Sequence, residues 1–263
     1  MSNYKGIFPG TFTMGNVVCG FLAILSAFEG NITTACWLII LAAFLDALDG
    51  KVARLSGGTS QFGVELDSLA DFLSFGVAPA VVVHAIKLND LGKWGWLVSV
   101  VYIMAASYRL ARFNLLAETE EKKDFVGLPV PAAAVALVSY VLFCNEIWGQ
   151  LHFDRILVAM IIVYAFLMVS QVRYDALPDS FTSYESRLKL GALLAAVVIV
   201  LLAAAAEVLF RPRLIELLLF PFCGAYILFG TVREAVRLFS HSVGRVAGRQ
   251  HLRRQSDRKG LDE

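Results

Sequence analysis

Long apolar runs at helical spacing follow one another along the chain, and short polar connections separate them. A helix needs about 20 apolar residues to cross a hydrocarbon core of ~30 Å. Eight runs approach that length, at roughly 11–29, 32–53, 65–86, 94–115, 128–148, 153–171, 189–209 and 213–236. The pattern predicts an all-α fold, a polytopic transmembrane helical bundle with about eight spans.

The composition indicates a lipid environment for much of the surface. Hydrophobic residues make up 58% of the chain and charged residues 17%, and the mean hydropathy is +0.67. A water-soluble protein of this composition would expose large apolar patches and aggregate. The net charge of +1 gives no indication of nucleic acid as a partner.

The distribution of basic residues predicts the topology. With eight spans, and before the six in the tail after Gly244 are counted, twelve lysines and arginines fall on the side of the two termini and five on the other side. Because cytoplasmic loops are enriched in Lys and Arg, both termini are predicted to be cytoplasmic. We expect one membrane domain over residues 1–240 and a basic cytoplasmic tail over 241–263. The N-terminus lacks the pattern of a removable signal peptide.

Four aspartates stand at the ends of two predicted spans. Asp46 and Asp49 lie near the end of the second span, and Asp67 and Asp71 near the start of the third, within 26 residues in all. Ionisable residues in membrane helices are costly and usually face a bundle interior or a watery cavity. Spacings of three and four residues place the members of each pair on one helix face. Because a glycine-containing turn at 56–60 lets the helices run antiparallel, the two pairs can meet at one depth.

Carboxylates gathered in this way repel one another unless a cation neutralises them. Mg²⁺ or Mn²⁺ suits carboxylates combined with substrate phosphates, and two such ions ~3.5–4 Å apart form a clamp for phosphoryl transfer. One alternative is structural: the aspartates cap helix ends or pair with Lys51 and Arg54. The other is a transport path for metal ions or protons. Transport paths usually distribute acids across the bilayer depth, whereas these aspartates lie at one end of their helices.

Small residues and one arginine accompany the aspartates. Gly50 and Ala53 share a helix face with the first pair, and Gly63 stands one turn before the second pair. Their small size would let a flat group approach the helix backbone. Arg54 supplies a forked donor that suits a phosphate. The surroundings therefore favour a bound group that carries phosphate and a planar ring.

The whole pattern resembles the defining motif of the CDP-alcohol phosphatidyltransferases. It reads Asp46-x2-Asp49-Gly50-x2-Ala53-Arg54-x8-Gly63-x3-Asp67-x3-Asp71. The resemblance is close over residues 8–135. It implies a catalytic core at roughly 8–172, with extra helices over 189–236.

The resemblance also implies roles for these residues. Asp46, Asp49 and Asp67 would hold two divalent ions, Mg²⁺ or Mn²⁺, and Asp71 would contact one of them and act as general base. A cytidine and diphosphate site would be formed by Asn16, Gly50, Ala53, Arg54 and Gly63. Members of this family catalyse the attack of an alcohol on a CDP-linked phosphoryl group, with release of CMP.

Three stretches resemble one branch of the family, the bacterial phosphatidylserine synthases. They cover residues 8–21, 108–114 and 125–134. This resemblance implies CDP-diacylglycerol and L-serine as substrates, and a homodimer in the cytoplasmic (inner) membrane with its active site facing the cytoplasm. Glycerol phosphate, inositol phosphate or another alcohol is the alternative acceptor.

The acceptor site has its own candidate residues. Arg109, Arg112 and Asn114 stand at the cytoplasmic end of the fourth predicted span. A guanidinium fork is a suitable partner for the carboxylate of serine. The alternative is that the two arginines serve only as topological anchors whose side chains extend to the membrane surface.

Overall fold

The computed structural model describes residues 7–56, 61–118, 125–149, 151, 154–170, 173–174 and 215–233. Helices account for nearly all of these residues. They are α1 (Ile7–Phe28), α2 (Ile32–Ser56), α3 (Gln61–Asp71), a π-helical segment (Phe72–Val77), α4 (Ala78–Ile86), a 3₁₀ turn (Leu88–Leu91), α5 (Lys93–Glu118), α6 (Val130–Trp148), α7 (Asp154–Val169) and α8 (Ile215–Arg233).

The structure confirms an integral membrane architecture built from helices. Five helical stretches are long and apolar enough to cross a bilayer, namely Gly10–Phe28, Ile32–Gly50, Gln61–Ile86, Val130–Trp148 and Ile215–Arg233. Helix α7 is apolar but has only 16 residues. The predicted span at 189–209 and the tail at 241–263 lie outside the described residues. The count of eight spans and the cytoplasmic position of the termini therefore remain predictions.

Several helices extend beyond the predicted apolar runs. Helix α3 begins at Gln61 instead of 65, and α5 ends at Glu118 instead of 115. Polar residues at the membrane surface continue a helix without adding to its apolar run, so hydropathy places these ends too far inside. Helix α6 begins later than predicted, at Val130. Leu128 stands directly before Pro129, and the residue before a proline is disfavoured from the helical conformation.

Glycines in the left-handed conformation end two helices. Gly30 has φ of 80° after α1, and its N–H donates to Ala27 O over 3.1 Å. Gly149 has φ of 68° after α6, and its N–H donates to Asn145 O over 2.8 Å. A side chain at either position would be strained. The turn after α1 lets α2 return beside it.

One feature of the fold is a short β pair that the sequence pattern did not predict. Strands β1 (Phe125–Val126) and β2 (Arg173–Tyr174) pair in antiparallel fashion. Leu128 N–H continues the connection by donating to Leu167 O over 3.0 Å. Two-residue strands are too short to produce a recognisable alternation of polar and apolar residues. The pair ties the approach to α6 to the chain beyond α7.

Small side chains allow the membrane helices to approach closely. Helices α1 and α2 pack together along their length through buried residues such as Ala23, Ala27, Ala35 and Ala42. Close packing of small residues is the usual basis of helix association in lipid. Three of the four cysteines, Cys19, Cys36 and Cys144, are also buried, and Cys223 is half-buried. Their position agrees with the expectation that they act as small hydrophobic residues.

Helix α8 packs against the bundle although it is remote in sequence. Trp37 Nε1 on α2 donates to Glu216 Oε1 over 3.1 Å. The ring of Phe220 lies 5.0 Å from that of Tyr140 and 5.4 Å from that of Phe143, both on α6. These contacts hold α8 against α2 and α6.

A widened π-helical segment interrupts the third membrane helix directly after Asp71. In a regular α-helix, the carbonyl of Phe75 would accept a hydrogen bond from the residue four positions later, which is Pro79. Proline has no N–H, and its ring crowds that carbonyl. Tyr102 on α5 supplies the missing donor, because its Oη donates to Phe75 O over 3.2 Å. Pro79 thus accounts for the π segment, and Tyr102 satisfies the carbonyl that it leaves.

We expect Tyr102→Phe to lower the free energy of unfolding by about 1–3 kcal/mol, the usual cost of a buried polar group left without its partner. Tyr102 is fully buried, so water cannot replace the lost hydroxyl. Thermal unfolding of the purified protein in detergent measures the effect. The control is Tyr108→Phe on the same helix, where the ring is 54% exposed. Equal unfolding temperatures for the two variants would contradict the assignment.

Candidate active site

Three of the four motif aspartates meet at one place in the bundle. Asp46 on α2 and Asp67 and Asp71 on α3 each offer a carboxylate oxygen, and these oxygens lie within 4.8 Å of one another. Asp46 and Asp67 are half-buried, and Asp71 is only 9% exposed. The structure therefore brings aspartates from both motif helices together, as the spacing predicted. We call this group the carboxylate cluster.

Asp49, the fourth motif aspartate, stands beside the carboxylate cluster and has a different set of contacts. It is 6% exposed, and its Oδ2 accepts a hydrogen bond from Thr13 Oγ1 on α1. It interacts electrostatically with both Asp46 and Asp67. Among the described residues, its Oδ1 has no hydrogen-bond partner. That buried oxygen is available to a ligand.

Helix α1 contributes a second polar residue to the site. Asn16 is fully buried, and its Nδ2 donates to Asp71 Oδ1 over 3.1 Å. Its Oδ1 has no hydrogen-bond partner in the part of the chain that the structure describes. The sequence predicted Asn16 as a CDP contact, and the structure adds that Asn16 orients Asp71.

A close approach between α1 and the π segment places Asn16 beside Asp71. A Cβ atom added to Gly20 would lie 2.9 Å from the Cα of Ser74, so only glycine fits there. Ser74 Oγ in turn donates to the backbone carbonyl of Asn16 over 2.9 Å. Gly20 stands one helical turn after Asn16, and Ser74 stands about one turn after Asp71. The contact therefore fixes how the two helices align at the site.

Thr13 was missed as a site residue in the sequence. The available signal was its spacing, because Thr13, Asn16 and Gly20 stand at i, i+3 and i+7 on one face of α1. Polar and small residues on one face of a membrane helix indicate a buried contact. That face of α1 bridges the two motif helices, with Thr13 bonded to α2 and Asn16 bonded to α3.

Arg109 on α5 is a basic residue that interacts with the candidate base. It is 5% exposed and interacts electrostatically with Asp71. Its guanidinium carbon lies 5.2 Å from the ring centroid of Phe113, a cation–π contact. It also interacts with Tyr226 on α8. Sequence reasoning did not connect α8 to the site, because more than 100 residues separate these two positions.

The other two acceptor candidates stand further along α5. Arg112 is half-buried, and its positive charge repels that of Arg109. Asn114 is joined to Ser68 on α3 by hydrogen bonds of 2.9 and 3.1 Å. The structure thus places Arg109 and Arg112 near each other and gives the amide of Asn114 a partner on the motif helix.

The small motif residues differ in how far the structure describes them. Gly50 is exposed, and a Cβ atom added there would meet nothing within 4 Å among the described atoms. Gly63 is half-buried on the first turn of α3. Ala53 and Arg54 belong to α2, but their side chains lie outside the described part. Their contribution to a CDP site, and the pairing of Arg54 or Lys51 with the aspartates, remain predictions.

The oxygen donors at this site fit a hard divalent cation. The carboxylate cluster supplies three converging carboxylates, and Asp49 adds a buried oxygen that no described residue satisfies. Buried carboxylates without a compensating charge are unfavourable, and Mg²⁺ or Mn²⁺ binds preferentially to oxygen ligands of this kind. The structure thus supports a metal-binding role, which the sequence spacing predicted.

Comparison with known proteins identifies similar sequences. The family model described as CDP-alcohol phosphatidyltransferase matches residues 7–170. A CDP-diacylglycerol–serine O-phosphatidyltransferase of Helicobacter pylori is 36% identical over 232 residues, which cover 86% of this chain and 90% of that protein. An archaetidylserine synthase of Methanothermobacter thermautotrophicus is 36% identical over 63% of this chain and 68% of its own length. A CDP-diacylglycerol–serine O-phosphatidyltransferase of Mycobacterium leprae is 42% identical over 50% of this chain and 45% of its own length.

Proposed function

The chain belongs to the CDP-alcohol phosphatidyltransferase family, and we propose that it transfers the phosphatidyl group of CDP-diacylglycerol to the hydroxyl of L-serine. The products are phosphatidylserine and CMP. The names of two relatives that match over 86% of this chain support serine as the acceptor. The observation that carries the proposal is the convergence of Asp46, Asp67 and Asp71 at one partly buried place.

The proposed reaction is a single displacement at phosphorus. The serine hydroxyl oxygen forms a bond to the phosphatidyl phosphorus, and the bond from that phosphorus to the bridging oxygen breaks. CMP leaves with the bridging oxygen, and the hydroxyl proton passes to Asp71. Asn16 orients the carboxylate of Asp71 through its Nδ2, so that this carboxylate can accept the proton.

We propose that the site binds two metal ions, either Mg²⁺ or Mn²⁺. Asp46, Asp67 and Asp71 would hold them, with Asp49 joining through its unsatisfied oxygen. When bound, divalent ions neutralise the diphosphate and stabilise CMP as a leaving group. Thr13 fixes the other oxygen of Asp49, so α1 helps to hold the ligand set in place.

Serine brings a carboxylate, an ammonium and a hydroxyl to the site. We assign its carboxylate to Arg109 and Arg112, because a guanidinium fork binds a carboxylate with two parallel hydrogen bonds. Arg109 interacts with Asp71, so a serine held there would present its hydroxyl near the base. The CDP group would contact Asn16, Gly50, Ala53, Arg54 and Gly63.

We expect Arg112→Ala to raise the KM for serine about tenfold or more while the KM for CDP-diacylglycerol changes little. Hydrogen bonds to charged groups contribute about 1.5–3 kcal/mol, and only the acceptor loses such a bond. Initial rates measured against each substrate separate the two effects. The control is Arg155→Ala, an exposed arginine on α7. Equal changes in both KM values would remove Arg112 from the serine pocket.

The test of the function is CMP release from CDP-diacylglycerol with a panel of alcohols. Serine should support the fastest turnover, well above glycerol phosphate and inositol phosphate. If another alcohol gives faster turnover, the family assignment stands and the acceptor is wrong. If the purified protein instead moves divalent metal into liposomes without consuming CDP-diacylglycerol, it is a transporter and the proposed reaction fails.

The orientation proposed for the enzyme follows from its charge distribution. The end of the bundle that contains the carboxylate cluster also holds Arg109 and Arg112. An excess of basic residues marks the cytoplasmic side, so we place the active site at the cytoplasmic face of the inner membrane. We also propose that residues 1–240 form the membrane domain. Resemblance to the family favours a homodimer, which chemical cross-linking in the membrane would detect.

A further inference from the structure

Helices α3 and α5 make a direct polar contact at the cluster end of the bundle. Asn114 Nδ2 donates to Ser68 Oγ over 2.9 Å, and Ser68 Oγ donates to Asn114 Oδ1 over 3.1 Å. Both residues are half-buried. Ser68 directly follows Asp67 and stands three residues before Asp71, so it belongs to the same helical stretch as two members of the carboxylate cluster.

This contact is one of a series along the two antiparallel helices. Further into the membrane, Tyr102 donates to the carbonyl of Phe75. Next, the Cβ of Ala106 closely faces Gly76, where an added Cβ would lie only 3.3 Å away. Arg109 then interacts with Asp71. The bond between Ser68 and Asn114 ends the series. Arg109 and Asp71 therefore lie between this bond and the bond from Tyr102 to Phe75.

The position of the bond determines which half of the site it supports. Helix α5 carries the acceptor candidates Arg109 and Arg112. The metal and donor half of the site instead joins α3 to α2, where Asp46 lies close to Asp67. Loss of the bond would free the cluster end of α5 from α3 without touching Asp46, which stands on α2. The acceptor residues would then lose their alignment with Asp71, while the donor half would keep its ligands.

We propose that Ser68 and Asn114 form a positioning pair that holds α5, and with it the acceptor pocket, in register with Asp71. The proposal rests on the proposed function and deepens it. It assigns Asn114 a structural partner in place of the direct serine contact that the sequence predicted. Neither residue takes part in the chemistry. The bond acts through Arg109 and Arg112, because it sets their distance from Asp71.

The experiment is a double-mutant cycle with Ser68→Ala, Asn114→Ala and the two changes combined. Each single change is expected to lower kcat/KM for serine about five- to tenfold, the usual range for one hydrogen bond, through a higher KM for serine. The KM for CDP-diacylglycerol should stay within about twofold. Because both changes break the same bond, the combined variant should be no worse than either one. Ser68→Thr keeps the hydroxyl and should retain most of the activity.

Two controls separate the proposal from simpler explanations. Asn145→Ala makes the same chemical change at an exposed position on α6, at the opposite end of the bundle, and should leave both KM values unchanged. Parent enzyme without serine turnover would refute the proposed function itself. Parent enzyme that turns over serine while the two changes act additively, or raise both KM values equally, would overturn only the positioning pair.

Discussion

Replacing Asp71 with Asn is expected to lower turnover by about 10²–10⁴-fold, the contribution typical of a general base, while CDP-diacylglycerol still binds. The new amide has the same shape as the carboxylate and can still accept the hydrogen bond from Asn16. It cannot accept the serine proton at neutral pH. CMP release measures turnover, and binding of a radiolabelled CDP-lipid measures retention of the donor site.

Asp90→Asn provides the matched control for that change. Asp90 is 64% exposed in the connection between α4 and α5, and it pairs with Lys87 over 3.1 Å. The substitution removes the same charge at the opposite end of the bundle and should leave turnover unchanged. An Asp71→Asn enzyme with near-normal turnover would show that Asp71 is not the base. A variant that also fails to bind the CDP-lipid would show that the loss arises at the donor site.

Removal of divalent metal is expected to abolish turnover and to lower the unfolding temperature. Without a cation, the carboxylate cluster and Asp49 repel one another in a partly desolvated place. A ligand that binds only the folded state stabilises it by about 2.7 kcal/mol at 100 times its dissociation constant. Adding Mg²⁺ or Mn²⁺ to chelated protein should therefore restore activity and raise the unfolding temperature by several degrees.

Variants on α3 connect that stabilisation to the cluster. Asp67→Asn removes one converging carboxylate and should lose most of the metal-induced rise in unfolding temperature. Glu65→Gln removes an exposed acid two residues earlier on the same helix and should keep the full rise. If the Asp67 variant is stabilised by metal as much as the parent, the ions bind elsewhere.

The motif was predictable because its signal is local. Spacings within one helix place two aspartates on one face, and a short turn brings the second helix back. The convergence of Asp46 with Asp67 and Asp71 followed from these two facts alone. The approximate positions of α1 to α7 followed from apolar runs of membrane length. Both inferences need only residues that are close in sequence.

The supporting contacts were not predictable, because they join residues from different helices. The bond between Asn16 and Asp71 depends on how α1 lies against the π segment, which Gly20 and Ser74 decide together. Pro79 stands in the sequence as a signal for an irregular helix. Nothing local to it shows that Tyr102 would satisfy the carbonyl. Packing of this kind is determined by the whole bundle.

The dependence of Phe75 on Tyr102 has a consequence for how the protein enters the membrane. The ribosome completes the helix that contains Pro79 before it makes α5, so the carbonyl of Phe75 lacks its hydroxyl partner when that helix emerges. An unsatisfied carbonyl in hydrocarbon costs several kcal/mol. The two helices are therefore best released into lipid as a hairpin. The motif helix reaches its final form only when a segment synthesised later has arrived beside it.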